Sequence, residues 1–233
     1  TVAPSIGIDA LTVIAAANEA TYLVTGTCDD SLVNVSLFIG TTNIPPACNG
    51  TTFTSGAVDV SANTDNLALP VTADITDANG NTATQAATTV IKDTVGPAVS
   101  SVVFTTADGA FDVGSISATV TFNEVANFDN ALGVPNMVLT AGVTAGPMAY
   151  ASGTGSTTTT FTYTIAALDM DGVTLASPVV LNGGVITDVY GNTSSTLTFT
   201  PPTANIYVVP SGMVSWHDAS QASFMTTDTA CTT

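Results

Sequence analysis

Residues 115–124 read SISATVTFNE, and the fold is decided in that stretch. Ile116, Ala118, Val120 and Phe122 alternate with Ser117, Thr119, Thr121 and Asn123. Successive side chains of a strand point to opposite faces, so a period of two marks a half-buried strand. Outward from this run the rhythm recurs. Residues 31–39 (SLVNVSLFI) align Val33, Val35, Leu37 and Ile39, and residues 67–75 (LALPVTADI) align Leu67, Leu69, Val71, Ala73 and Ile75. Residues 157–166 (TTTTFTYTIA) place Phe161, Tyr163 and Ile165 on one face. Clusters of Gly, Asn, Asp and Pro separate the runs at sandwich-like spacing, and no segment carries a helical pattern. With Thr, Val and Ile abundant, the expected fold class is all-β.

The chain also repeats itself. Residues 75–82 read ITDANGNT and residues 186–193 read ITDVYGNT; residues 1–5 read TVAPS and residues 94–98 read TVGPA. Two motifs recurring in corresponding places imply two related modules. The reading is a β-sandwich over 1–93, a second over 94–209, and a remainder, 210–233, that fits neither. Pro97 stands where the second module's first strand should begin, which suits a stiff junction. Without an initiator Met or a signal-like segment, the chain reads as a mature product or an excised piece.

Charge narrows the function. One basic residue, Lys92, faces 18 acidic ones, for a net charge of −17. Such a surface repels phosphate backbones and anionic lipid, which argues against nucleic-acid partners. No apolar run approaches the roughly 20 residues of a spanning helix, so membrane insertion is not expected. All the acids but Glu19 and Glu124 are Asp, the acid suited to turns and to hard cations. Of the three cysteines, Cys28 and Cys48 close a short loop in the first module, and Cys231 lies far away near the end. In an extracellular setting Cys28 and Cys48 pair as a disulfide; the alternative is two buried thiols. Cys231 pairs beyond the segment or stays free.

The motifs together resemble the immunoglobulin-like repeats of large bacterial surface adhesins. In the first module the matching stretches are VTGTC (24–28), TDANGN (76–81) and KDTVGP (92–97). In the second they are VTFNEVA (120–126), GVPNMVLT (133–140), YASGTGSTTTTFTYTI (150–165), DMDGV (169–173) and ITDVYGN (186–192). The resemblance covers most of residues 1–200. It implies two tandem immunoglobulin-like β-sandwiches strung into a stalk, and it identifies no ligand. The stretch VSWHDASQASFM (214–225) resembles the opening strand of a concanavalin-like or laminin-G-like domain.

Calcium is the foremost chemical expectation. Asp77, Asn79 and Asn81 present oxygens at alternate positions, as the first half of a calcium loop does. Asp188 and Asn192 repeat part of that pattern, and Asp169 and Asp171 form another acidic pair. Asp93 lies at the junction, where the resemblance implies interdomain calcium. Glu124 closes a strand and reads as a rim residue with a calcium role. A second reading stands beside this one: TDxxGN is a tight strand connection whose Gly supplies positive φ and whose Asp and Asn cap the turn. No Glu follows at EF-hand spacing.

Other chemistry has less to stand on. His217, the only His, sits beside Asp218 with no nucleophile-elbow motif, and one His with three scattered Cys suits neither a triad nor zinc. Aromatics make up 6% of the chain, too few for a sugar platform flanked by paired carboxylates. Lys92 closes the last strand of the first module, which suits the junction better than an isopeptide cross-link. The expectation is a non-enzymatic, extracellular spacer or adhesive stalk on a bacterial surface. Its partners would be neighbouring modules or identical subunits, with a host-surface glycan or protein as ligand. The alternatives are a self-assembling filament or surface-layer subunit exchanging strands, and a carbohydrate-binding accessory module.

Overall fold

A computed structural model describes residues 2–209. Residues 210–233, with Trp216, His217 and Cys231, lie outside the described residues. The chain is all-β, two immunoglobulin-like β-sandwiches in succession; its one helical element among the described residues is a 3-10 turn at Glu19–Thr21. No helix there is long and apolar enough to cross a membrane. Contacts divide the chain into two compact units: Thr1–Pro97 with Ile186–Ser195, and Ala98–Val185 with the chain from Thr196 on.

Unit 1 contains β1 (Ile6–Ile8), β2 (Thr25–Cys28), β3 (Ser31–Asn34), β4 (Ser36–Ile39), β5 (Thr42–Ile44), β6 (Ala47–Asn49), β7 (Thr52–Thr54), β8 (Asn66–Asp74) and β9 (Ala86–Lys92). One sheet runs β1-β2-β7 and the facing sheet β5-β4-β8-β9, while β3 pairs with β6. Every pairing is antiparallel. The apolar positions of the alternating runs meet in one core: Val35, Leu37 and Ile39 with Leu69, Val71, Ala73 and Ile75, closed by Val24, Phe53 and Val90. Leu67 departs from its expected place and is 78% exposed. The register of β8 against β9 shifts between Asn66 and Leu69, and that irregularity turns Leu67 outward.

Cys28 on β2 and Cys48 on β6 are joined by a disulfide with Cα atoms 6.1 Å apart. It ties the first sheet to the β3–β6 pair inside the core, where both sulfurs are buried. Closing a loop of this length is worth about 3 kcal/mol on chain-entropy grounds.

Unit 2 is built on β10 (Gly96–Phe104, which opens in the last residues of unit 1), β11 (Gly109–Phe111), β12 (Ser115–Asp129), β13 (Asn136–Ala141), β14 (Thr144–Ser152), β15 (Ser156–Thr164) and β16 (Asp171–Val180). Short strands β17 (Val185–Thr187) and β18 (Ser194–Thr196) flank the repeated turn, and β19 (Ile206–Val208) follows. Antiparallel pairings run β10-β12-β15-β14-β13-β16. The first residues of β16 also pair with β19, which pairs in parallel with β11. Ile116, Ala118, Val120 and Phe122 are all buried, as their alternation requires. Phe122, Phe128, Tyr150 and Phe161 form a ring cluster in which Phe128 and Tyr150 stack 4.1 Å apart.

Candidate functional site

Both copies of the repeated octapeptide fold in the same way. Ile75 and Ile186 are buried and anchor them. Thr76 bridges Thr82 as Thr187 bridges Thr193, so each copy is a small closed loop. At its head an Asp side chain gathers the loop's own donors. Asp77 Oδ1 accepts the N–H groups of Asn79 (2.9 Å) and Asn81 (2.8 Å), and Asn81 Nδ2 donates to Asp77 Oδ2 at 2.7 Å. Asp188 Oδ1 accepts Tyr190 N–H and Asn192 N–H, both at 2.8 Å, and Asn192 Nδ2 donates to Asp188 Oδ2 at 2.6 Å. The backbone bond closing each loop, Asp77 N to Asn81 O and Asp188 N to Asn192 O, is 3.0 Å. Gly80 (φ 84) and Gly191 (φ 88) supply the left-handed residue that lets the chain turn back. In both copies the carboxylate caps the turn. The bonds from Asn81, side chain first, hold the Asp77 carboxyl below its ordinary value.

In the 188–192 copy Asp188 and Asn192 are buried, and the Asn192 side chain ties two other segments together. Nδ2 also donates to the carbonyl of Asp93 (2.9 Å), and Oδ1 accepts the N–H of Ala16 (2.9 Å). A single amide thus holds the end of β9 to the segment before the 3-10 turn. That segment runs beside β9 through Ile14 N to Ile91 O and Asp93 N to Ile14 O. Gly96 fits only because it has no side chain: a Cβ there would sit 2.1 Å from the Thr193 carbonyl oxygen. Ser195 Oγ donates to the Gly96 carbonyl at 3.2 Å.

This packing brings two carboxylates together. An oxygen of Asp93 and one of Asp188 lie within 4.8 Å, and Asp188 is 2% exposed. Burial pushes the Asp93 carboxyl above its ordinary value; the Val95 N–H opposes that, and the charges of Asp188 and Asp65 add to it. Lys92, the chain's one basic residue, pairs with two other acids. Its Nζ is buried against Glu19 Oε2 at 2.7 Å and Asp65 Oδ1 at 3.5 Å. Asp65 is further engaged by the backbone N–H and hydroxyl of Thr94. The Asp93–Asp188 pair fits a calcium ion chemically. Calcium–oxygen bonds of about 2.3–2.6 Å span that separation, and a carboxylate oxygen that already accepts hydrogen bonds keeps lone-pair capacity for a metal.

The other expected ligands are dispersed. Asp169 is buried and Asp171 exposed, although one residue separates them. Asp169 Oδ2 accepts the Tyr163 hydroxyl (2.8 Å) and the Ala166 N–H (2.7 Å), while its Oδ1 is buried without a hydrogen-bond partner. Burial, then the bond to Asp169 and its charge, push the Tyr163 hydroxyl up to about 12. Asp77 lines an open depression with Val2, Ala3, Pro4, Asp29 and Asp30. Asp93, Asp188 and Asn192 are therefore brought together, Asp77, Asn79 and Asn81 form their own turn, and Asp169 and Asp171 lie in different surroundings. Asp65 and Glu19 were not anticipated as part of the locus, because no motif or spacing marks them.

No protein-family model and no curated protein sequence matches the chain. Solved structures that resemble it include a bacterial ice-binding adhesin of 1.5 MDa involved in host-cell-surface retention, at 17% identity and a TM-score of 0.42. That alignment covers 90% of this chain and 66% of the other. A Ca2+-stabilised adhesin with which an Antarctic bacterium binds ice is 19% identical, with a TM-score of 0.39 over 89% of this chain and 50% of that one. The D00-D0 domain of intimin is 14% identical, with a TM-score of 0.31 over 88% and 99%. The chain spans about two thirds and one half of the first two, and likeness at this level leaves function to be argued from the chain's own residues.

Proposed function

We propose that the chain is a non-enzymatic, extracellular structural module, a spacer or stalk segment of a bacterial surface protein, stiffened by calcium at Asp93 and Asp188. The observation that carries this reading is where the buried polar groups go. Asn63, Lys92 and Asn192 are engaged in bonds that tie one segment of the chain to another, and Asp188 in bonds that close its own turn. Their hydrogen bonds hold strands and turns together instead of converging on an open cleft. The disulfide in the core supports an oxidising, extracellular setting. The Asp93–Asp188 repulsion supports a cation, since a divalent ion there converts an electrostatic cost into a cross-link.

The test is thermal unfolding with small-angle scattering, in calcium and then in excess chelator. Calcium raises the melting temperature, and chelation lowers it and broadens the scattering profile. Asp93→Asn removes most of the response. Identical melting and scattering in both conditions would remove calcium from the proposal, and a compact particle with a ligand-lined cleft would remove the stalk.

A further inference from the structure

We infer that Lys92, Asp65 and Glu19 form a self-processing site, at which the Lys92 amine condenses with the Asp65 side chain to an intramolecular amide. The chemistry goes beyond the stalk reading and needs neither calcium nor Asp188.

Position along the chain gives Lys92 only a place at the junction, because no spacing links it to its partners in space. The structure supplies them. Lys92 is 2% exposed, and its Nζ stands 2.7 Å from Glu19 Oε2 and 3.5 Å from Asp65 Oδ1. One carboxylate is enough to neutralise one buried ammonium, yet two converge on it. The Asp65 carboxyl also accepts the Thr94 N–H on Oδ2 and the Thr94 hydroxyl on Oδ1, each at 3.0 Å. Those donors draw electron density away from Cγ and stand where a tetrahedral adduct would develop charge. The set is therefore an amine, a base on its proton, and a carboxyl with donors on its oxygens. Acyl transfer to an amine requires those three parts.

The step balances within these residues. Glu19 takes a proton from the Lys92 ammonium, and the freed Nζ attacks Asp65 Cγ. Negative charge developing on Oδ2 is met by the Thr94 N–H. Glu19 relays two protons in turn from the nitrogen to Oδ1. The Nζ–Cγ bond forms, the Cγ–Oδ1 bond breaks, one water leaves, and Glu19 ends as the carboxylate it began. Two effects favour the amide over the ion pair. Groups held in contact react with an effective molarity of about 10⁵ M or more. The neutral amide also removes a charge pair whose burial carries a desolvation cost. The Glu19 and Asp65 side chains are 25% and 33% exposed, so the released water has a way out.

The position suits a module under tension. Asp65 directly precedes β8 and Lys92 ends β9, with Asn66 opposite Lys92 in the ladder. The amide closes the open end of that strand pair. Tension entering at Thr94 then passes straight to Asp65, and residues 66–91 are taken out of its path.

The test weighs the full chain after denaturation and reduction of its disulfide. The mass is expected to fall short of the sequence by one water. Lys92 is the only Lys or Arg, so trypsin should leave the denatured parent chain uncut. Asp65→Asn should close the same amide by releasing ammonia and so reach the parent's mass. Glu19→Gln, lacking the proton relay, should keep its full mass and be cut once, after Lys92. A parent chain of full mass that trypsin cuts after Lys92 overturns the cross-link and leaves the stalk reading standing. A missing water with Lys92 still cleaved places the dehydration elsewhere and overturns it equally.

Discussion

The turns at 77–81 and 188–192 form a controlled comparison that the chain makes on itself. The same eight-residue pattern, with the same internal hydrogen bonds, stands in one place at an open depression and in the other with its Asp and last Asn buried. The internal bonds are what a tight connection needs, so they are indifferent to the surroundings. The company of the Asp carboxylate changes: Asp93 stands beside Asp188, whereas Asp29 and Asp30 line the depression at Asp77. One motif thus has two meanings: it is a turn wherever it occurs, and a clamp where a strand end is seated on it.

The largest expected effect comes from removing the carboxylate in each place. Asp188→Ala strips the half-buried N–H of Tyr190 and the buried N–H and side-chain amide of Asn192 of their acceptor at once. With water excluded, that should cost about 3 kcal/mol in denaturant unfolding. Asp77→Ala exposes its donors to solvent, which replaces the lost bonds, and the loss should be clearly smaller. Equal losses would mean that the two turns are not distinguished by burial.

Gly96→Ala tests the fit around the buried copy alone. The new Cβ would meet the Asn192 and Thr193 backbone, which cannot swing aside like a side chain. Overpacking of this kind costs about 2 kcal/mol. The twin position already carries Ala3, so Ala3→Gly should change stability little. Heat-scan midpoints of the two variants check this, and a neutral Gly96→Ala would show that the 186–195 segment is loosely held.

Much of this was legible in the sequence, for physical reasons that also set the limit. Alternation located the buried faces of β4, β8, β12 and β15, because the pleat imposes a period of two on any half-buried strand. The repeated octapeptide announced the two turns, since positive φ at Gly and Asx capping leave a residue-type signature. Leu67 misled because a register shift leaves no such signature. The partners of Asn192 were invisible for a different reason: they are the Asp93 carbonyl and the Ala16 amide, and every residue has both. The ion pairs of Lys92 with Glu19 and Asp65 were hidden likewise, since contact across the sandwich has no local spacing. Asp169 and Asp171 looked alike in sequence. They parted because Asp169 turns in to meet Tyr163, whereas Asp171, at φ 64, opens β16 at the surface.

The smallest effect sharpens the comparison through its sign. Asp77 has a lowered carboxyl, so its contribution is present above the unfolded value of about 3.9 and is lost as pH falls through the folded one. Asp93 runs the other way. Its raised value means that the folded chain disfavours the charged form, and stability is regained as pH falls through that value. In chelator at neutral pH, Asp93→Asn should therefore raise the melting temperature slightly. Its advantage over the parent chain should shrink as pH is lowered through that raised value, where Asp93 takes up its own proton. Asp77→Asn should lower the melting temperature at neutral pH and converge on the parent only in stronger acid. Calcium should reverse the order for Asp93 alone, because an ion held between Asp93 and Asp188 needs the charge that the bare fold rejects. If calcium leaves Asp93→Asn ahead of the parent chain, the pair repels without binding, and the clamp at Asn192 works without a metal.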